Sequence, residues 1–190
     1  MTNTPKAKKL TDFFLLLLMV FSLLAVIYFG SVSILKTLYP RRYIEFVEKY
    51  ALSNNLSEEF VFAVIECESG FDKDAVSYVG AEGLMQIMPE TFEWLQDKRG
   101  EELSPESTFI PETAIDYGCY FYGMLMEQFG NEATAVAAYH AGAAQVENWL
   151  ADEEYSYDGK TLKDIPYPST KEYVEKVMRV KDIYNKLYYK

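Results

Sequence analysis

The chain has 190 residues, of which 49% are hydrophobic, and carries a formal charge of −11. That leaves room for one membrane helix and one domain of about 150 residues with its own core, and excludes a second catalytic domain. Residues 1–42 hold six basic residues and one acid, leaving 12 basic against 28 acidic residues in 43–190, a formal −16 that should repel nucleic acid.

Residues 1–12 read as a short basic tail containing Lys6, Lys8 and Lys9. From Phe13 to Leu35 there are 23 residues without a charge, long enough as a helix to cross a hydrocarbon layer of about 30 Å. A cleaved signal peptide would have an apolar stretch of about 7 to 15 residues followed by a small-x-small site. The apolar stretch here is longer and no convincing small-x-small site follows it, so 13–35 is read as a signal anchor, and no cysteine precedes Cys67 to carry a lipid. Lys36, Arg41 and Arg42 beyond the span balance the three lysines before it, so basic residues do not set the orientation. Residues 36–42 form a juxtamembrane linker that spans at most roughly 25 Å when extended.

The folded domain is expected over 43–190. Tyr43, Phe46, Val47, Tyr50 and Ala51 keep helical spacing until Asn54-Asn55 breaks the run. A second helix follows over 58–69, with Ser57 as its expected N-cap and Gly70 as its stop. At 3.6 residues per turn, Phe60, Ala63, Val64, Cys67 and Glu68 share one face, while Glu66 points the opposite way as a solvated charge. A carboxyl placed as Glu68 is, on an apolar face, has a raised pKa and can act as an acid near neutral pH.

Gly70 to Gly83 shows little periodicity and reads as a loop crossing part of a cleft. A short helix is expected around Leu84 to Met88 and another from Pro89 to about Gln96, with 98–107 as loop. Pro111 to Phe129 is the longest central helix, closed by Gly130. Glu132 to Ala141 and Ala144 to Leu150 are two helices hinged at Gly142, and 151–168 is an acidic extended loop. Ser169-Thr170-Lys171-Glu172 is expected to act as a capping box for a last helix reaching about Tyr188. With no convincing hairpin or repeat, the fold class is predominantly α.

The two cysteines, Cys67 and Cys119, have no CxxC or histidine spacing, which argues against a metal site. Two small buried hydrophobes is the plainer reading, and the sequence leaves open whether they pair.

Around Glu68 the residues run Glu68-Ser69-Gly70-Phe71, then Ala75-Val76-Ser77, Gly80-Ala81 and Gly83-Leu84-Met85-Gln86-Ile87-Met88-Pro89. Further blocks are Asp116-Tyr117-Gly118-Cys119, Ala137-Ala138-Tyr139-His140-Ala141-Gly142, Trp149-Leu150, Ile165-Pro166 and Tyr173-Val174. Together they resemble the lytic transglycosylases, in particular the soluble lytic murein transglycosylase type of catalytic domain, over about 43–189.

The resemblance implies a lysozyme-like fold, a bacterial cell-wall setting and peptidoglycan as substrate, with the domain outside the cytoplasm. It implies no cofactor and a single catalytic carboxyl, Glu68. In that family the glutamate protonates the oxygen bridging N-acetylmuramic acid and N-acetylglucosamine, while the substrate's acetamido oxygen stabilises the sugar cation. The carboxylate then draws the proton from the C6 hydroxyl, which closes on C1 as a 1,6-anhydro ring.

Substrate-binding roles carry over by position to Ser77, Met85, Gln86, Tyr139, His140 and Tyr173. Tyr139 is expected to hydrogen-bond Glu68, Met85 to face the cleft, and Tyr173 to line it. Two positions depart from the family pattern: His140 stands where asparagine is usual, and Ser169 where a glutamate often precedes the last helix. A hydrolytic muramidase on the same fold, or a glycan-binding scaffold without catalysis, are the competing readings.

Overall fold

A computed structural model describes residues 5–190, so the first four residues of the expected tail lie outside the described residues. The chain forms two compact units, one ending at Pro40 and the other running from Arg41 to Lys190.

In the first unit, helix α1 runs from Pro5 to Leu38, longer at both ends than the uncharged stretch alone. Its Lys8–Leu38 portion is long and apolar enough to cross a membrane, and apolar side chains such as Phe14, Leu18 and Phe29 point outward along it.

The second unit is helical, with no extended strand pair among the described residues. Its helices are α2 (Ile44–Ser53), α3 (Glu58–Glu68), α4 (Pro89–Arg99), α5 (Pro111–Phe129), α6 (Glu132–Ala141), α7 (Ala143–Leu150) and α8 (Pro168–Tyr184). A 3₁₀ turn at Pro105–Phe109 leads into α5, and a π turn at Asn185–Tyr189 ends the chain.

Helix α3 sits at the centre, packed against α8 and α2, while α5 and α6 pack on each other and α6 on α8. Phe60, Val61, Phe62, Ala63, Val64 and Ile65 are all fully buried. The one-sided reading of this helix is therefore too weak, because a helix surrounded by partners buries every face. Its two ends reach the surface, and the last turn carries Glu66, Cys67 and Glu68, each half-buried.

Several local expectations are corrected. Ser57 occupies the N-cap position of α3, but its hydroxyl makes no cap bond and is buried without a partner. Helix α8 begins at Pro168 with Tyr167 as N-cap and no side-chain cap bond, so the Ser169–Glu172 capping box does not form. Proline explains the earlier start, since its fixed φ suits a first turn and it needs no N–H partner there.

Leu84–Met88 is a tight turn rather than a helix. Gln86 has φ +49° and Gly83 φ +71°, which interrupt helical geometry. Isolated bridges Val76–Glu82 and Glu82–Ile87 fold the preceding loop back on itself. A Cβ on Gly83 would lie 2.1 Å from the Thr108 carbonyl oxygen, so only glycine lets this turn approach the segment before α5. Likewise a Cβ on Gly118 would meet Met85 Sδ at 2.2 Å, so α5 accepts Met85 only through a glycine notch.

Candidate active site

Glu68 is the last residue of α3, where the helix leaves the core. Burial pushes its carboxyl up from 4.5 to about 7, opposed by a hydrogen bond from Tyr173 and by the positive charge of Lys176. The carboxyl is thus poised to hold a proton or release it near neutrality, as a group acting in both directions requires.

Tyr173, one turn into α8, donates its hydroxyl to Glu68 Oε1. The hydroxyls of Tyr122 and Tyr173 lie 3.3 Å apart, and since the Tyr173 proton goes to the carboxylate, Tyr122 is the donor between them. The Tyr122 ring stacks on that of Tyr139, with centroids 4.2 Å apart and planes 7° from parallel. Tyr139 in turn donates to the Met85 carbonyl at 2.7 Å. Burial drives the pKa values of the Tyr122, Tyr139 and Tyr173 phenols well above their ordinary value, so they keep their protons and remain donors.

The expected contact between Tyr139 and Glu68 is therefore replaced: Tyr173 holds the carboxyl and Tyr139 holds the turn at Met85. Met85 itself does not face a cleft, because its side chain is fully buried under Gly118. Gln86 lies on the same turn, but its amide nitrogen donates to the carbonyls of Ala75 at 3.2 Å and Gly83 at 3.0 Å. With both amide protons committed to backbone, the side chain fixes the loop and has only its carbonyl oxygen to present outward.

Ser77 belongs to this loop as well, accepting from the Ala81 N–H at 2.9 Å through its hydroxyl. Ser69 ties the loop to the end of α3, donating to the Leu84 carbonyl at 2.8 Å.

His140 stacks on Tyr173 at 4.7 Å between ring centroids, and its Nδ1 lies 3.1 Å from the Thr170 hydroxyl. Burial lowers its pKa below 6.5. Its ring is thus one contact removed from Glu68, acting through Tyr173.

Glu66, expected to be fully solvated, is half-buried with its pKa raised by burial. Lys176 donates to the Cys67 carbonyl at 3.0 Å, which holds its charge near the end of α3. Cys67 and Cys119 are both free; burial pushes the Cys67 thiol up to about 12 and raises that of Cys119 also, so both are protonated. Among the described residues no group of three or more His, Cys, Asp or Glu is placed to hold a metal ion.

Tyr122, Thr170 and Lys176 belong to this assembly without having been singled out in the sequence. With 16 tyrosines in the chain, type alone could not select Tyr122. Lys176 carried a faint signal, being one helical turn beyond Tyr173. A cavity of about 760 Å³ lies elsewhere, beside α4 and the following loop, lined by Glu82, Phe92, Gln96, Leu103 and Thr108 among others.

The Transglycosylase SLT domain family matches residues 45–162. The chain is 32% identical over 148 residues to the soluble lytic murein transglycosylase of Salmonella typhimurium, an alignment covering 74% of this chain and 22% of that protein. It is also 29% identical over 117 residues to membrane-bound lytic murein transglycosylase C of Haemophilus ducreyi, covering 56% of this chain and 32% of the other. This chain thus spans about a fifth to a third of the curated relatives it matches.

Among solved structures, lytic transglycosylase Slt from Pseudomonas aeruginosa, an inactive glutamate-to-glutamine mutant, superposes with a TM-score of 0.71 at 32% identity, over 80% of this chain and 25% of that one. The complex of the 70-kDa soluble lytic transglycosylase with bulgecin A gives 0.74 at 25% identity, over all of this chain and 31% of the other.

Proposed function

Because this chain belongs to the SLT transglycosylase family, we propose that it is a membrane-anchored lytic transglycosylase that cleaves the β-1,4 bond between N-acetylmuramic acid and N-acetylglucosamine in peptidoglycan. The observation that carries this reading is the half-buried carboxyl of Glu68, raised to about 7 and held by Tyr173.

In the first step Glu68 gives its proton to the bridging oxygen as the C1–O bond breaks, and the substrate's acetamido oxygen supports the charge at C1. In the second step the Glu68 carboxylate takes the proton from the C6 hydroxyl, and O6 closes on C1. Glu68 ends protonated, ready for another cycle, and no water is consumed. Tyr173 favours the carboxylate produced by the first step, while burial favours the acid that begins it.

Ser77, the backbone at Met85 and the Gln86 carbonyl oxygen are proposed to meet the glycan along the loop, with Tyr139 and His140 shaping the opposite wall. Helix α1 is proposed to span the cell membrane once, with the second unit outside the cytoplasm where peptidoglycan lies. Its length and apolar composition support that role, as does the resemblance to a relative named as membrane-bound.

The test is mass analysis of the glycan products released from peptidoglycan by the 190-residue chain and by its Glu68→Gln variant. Products one water lighter than hydrolysis fragments, absent with the variant, are expected. Fragments carrying the full water would instead identify a hydrolytic muramidase.

A further inference from the structure

A row of aromatic rings leads away from Glu68 toward α4. Tyr139, stacked on Tyr122 beside the carboxyl's own partner Tyr173, lies 5.1 Å from Phe121 between ring centroids. Phe121 lies 6.0 Å from Trp94, edge to face. Three helices contribute: Tyr139 from α6, Phe121 from α5 and Trp94 from α4.

The rings become more exposed with distance from the carboxyl. Tyr139 and Phe121 are half-buried, whereas Trp94 is 40% exposed. The chain's other tryptophan, Trp149, is only 4% exposed. On α4, Phe92 and Leu95 already supply the buried face, so Trp94 is not required to close the core.

We propose that Trp94 and Phe121 form a further sugar-binding position, a platform that receives the glycan strand beyond the saccharides at Glu68. This rests on the peptidoglycan reading given above. The occupant follows from the chemistry. An aromatic face packs against the C–H face of a pyranose ring, and amphipathic rings such as indole suit ligands with one apolar and one wet side.

The neighbouring side chains Glu90, Glu93 and Asp97 are exposed acids on the same helix. They can accept hydrogen bonds from sugar hydroxyls but would repel a polyanion. Lys98 places its ammonium 5.5 Å from the Trp94 ring, where it can swing aside or bond the strand. Continuity with Tyr139 gives the platform its direction, because a strand seated at Glu68 and running along this row passes over Phe121 and then Trp94.

The test uses the 190-residue chain carrying Glu68→Gln, so that ligand is bound without being cut, with the β-1,4 hexamer of N-acetylglucosamine as probe. Adding hexamer should shift tryptophan emission, and the shift should persist in Trp149→Phe and vanish in Trp94→Phe. By calorimetry, Trp94→Ala should weaken hexamer binding on the order of tenfold, with Trp94→Tyr restoring most of it. Helix content from far-ultraviolet circular dichroism should be the same in all variants.

Equal hexamer affinity in Trp94→Ala and its parent would overturn the platform while leaving the catalytic reading intact, provided the chain with Glu68 still releases anhydro products. If the parent neither binds hexamer nor, with Glu68 restored, cuts peptidoglycan, the reading on which the platform rests fails with it.

Discussion

Replacing Glu68 by glutamine should stabilise the folded domain at alkaline pH and leave it unchanged at acid pH. The Glu68 carboxyl holds its proton up to about 7 when folded, against 4.5 for an unshielded glutamate. Between those values the unfolded chain has released a proton that the folded chain still binds, so raising the pH favours unfolding. The loss begins above about pH 4.5, grows through the interval and is complete above about pH 7. Each tenfold change in acidity is worth 1.36 kcal/mol, so the whole interval amounts to at most about 3 kcal/mol. Glutamine has no proton to lose, and its carbonyl oxygen can still accept from Tyr173.

Urea unfolding of the Arg41–Lys190 unit should therefore give the same stability for both forms near pH 4 and an advantage of about 3 kcal/mol for glutamine near pH 8. For a domain of this size that advantage corresponds to roughly 6 to 12 °C in Tm. A stability difference that is equal at the two pH values would refute the claim that burial, rather than some fixed packing defect, sets the acidity of Glu68. The same substitution is expected to abolish glycan cleavage, so stability and activity would move in opposite directions.

Tyr173→Phe removes a hydrogen bond to an ionised group, worth about 1.5–3 kcal/mol, so turnover should fall roughly 10- to 100-fold. Because that bond favours the carboxylate, the alkaline limb of the pH–rate profile should also move upward; a fall in rate with no shift would reduce Tyr173 to a packing role. His140→Asn should remove an ionisation that lies below 6.5 in the wild type, and identical pH–rate profiles for the two forms would exclude His140 from the site. Gly83→Ala should cost about 3 kcal/mol, combining left-handed backbone strain with a clash against the Thr108 carbonyl. Gly70→Ala, with φ +59° but no atom within 4 Å of its Cβ, should cost only the strain; equal melting temperatures for these two variants would count against the close approach at Gly83.

The helices from Pro111 to Phe129 and from Glu132 to Ala141 could be read from sequence because their limits are set locally, by a proline at the first turn, a glycine or an asparagine at the edge, and a sustained 3.6-residue period between. Asn131 caps α6 in the structure, accepting from the Thr134 N–H. The Leu84–Met88 turn was not legible in the same way. Its five residues have helical composition, and what bends them is tertiary: Tyr139 draws on the Met85 carbonyl, Gln86 spans the loop, and Gly118 makes room for the Met85 side chain. Composition cannot report a notch in a helix more than thirty residues away.

Glu68 shows the same boundary from the side of chemistry. Its apolar spacing gives the direction of its pKa, since burial is a property of the helix that carries it. Which hydroxyl holds it depends on how α3 meets α8 and α6, and the resemblance alone points to Tyr139, with Tyr173 only lining the cleft. Once α8 lies across the end of α3, Tyr173 reaches the carboxyl and Tyr139 is left one ring further out, supporting the turn and beginning the aromatic row to Trp94. The histidine at position 140 follows from this exchange: it stacks on Tyr173 and is bonded to Thr170, so its contact with the carboxyl runs through the tyrosine. A substitution there should therefore change the acidity and orientation of Glu68 before it changes affinity for the glycan.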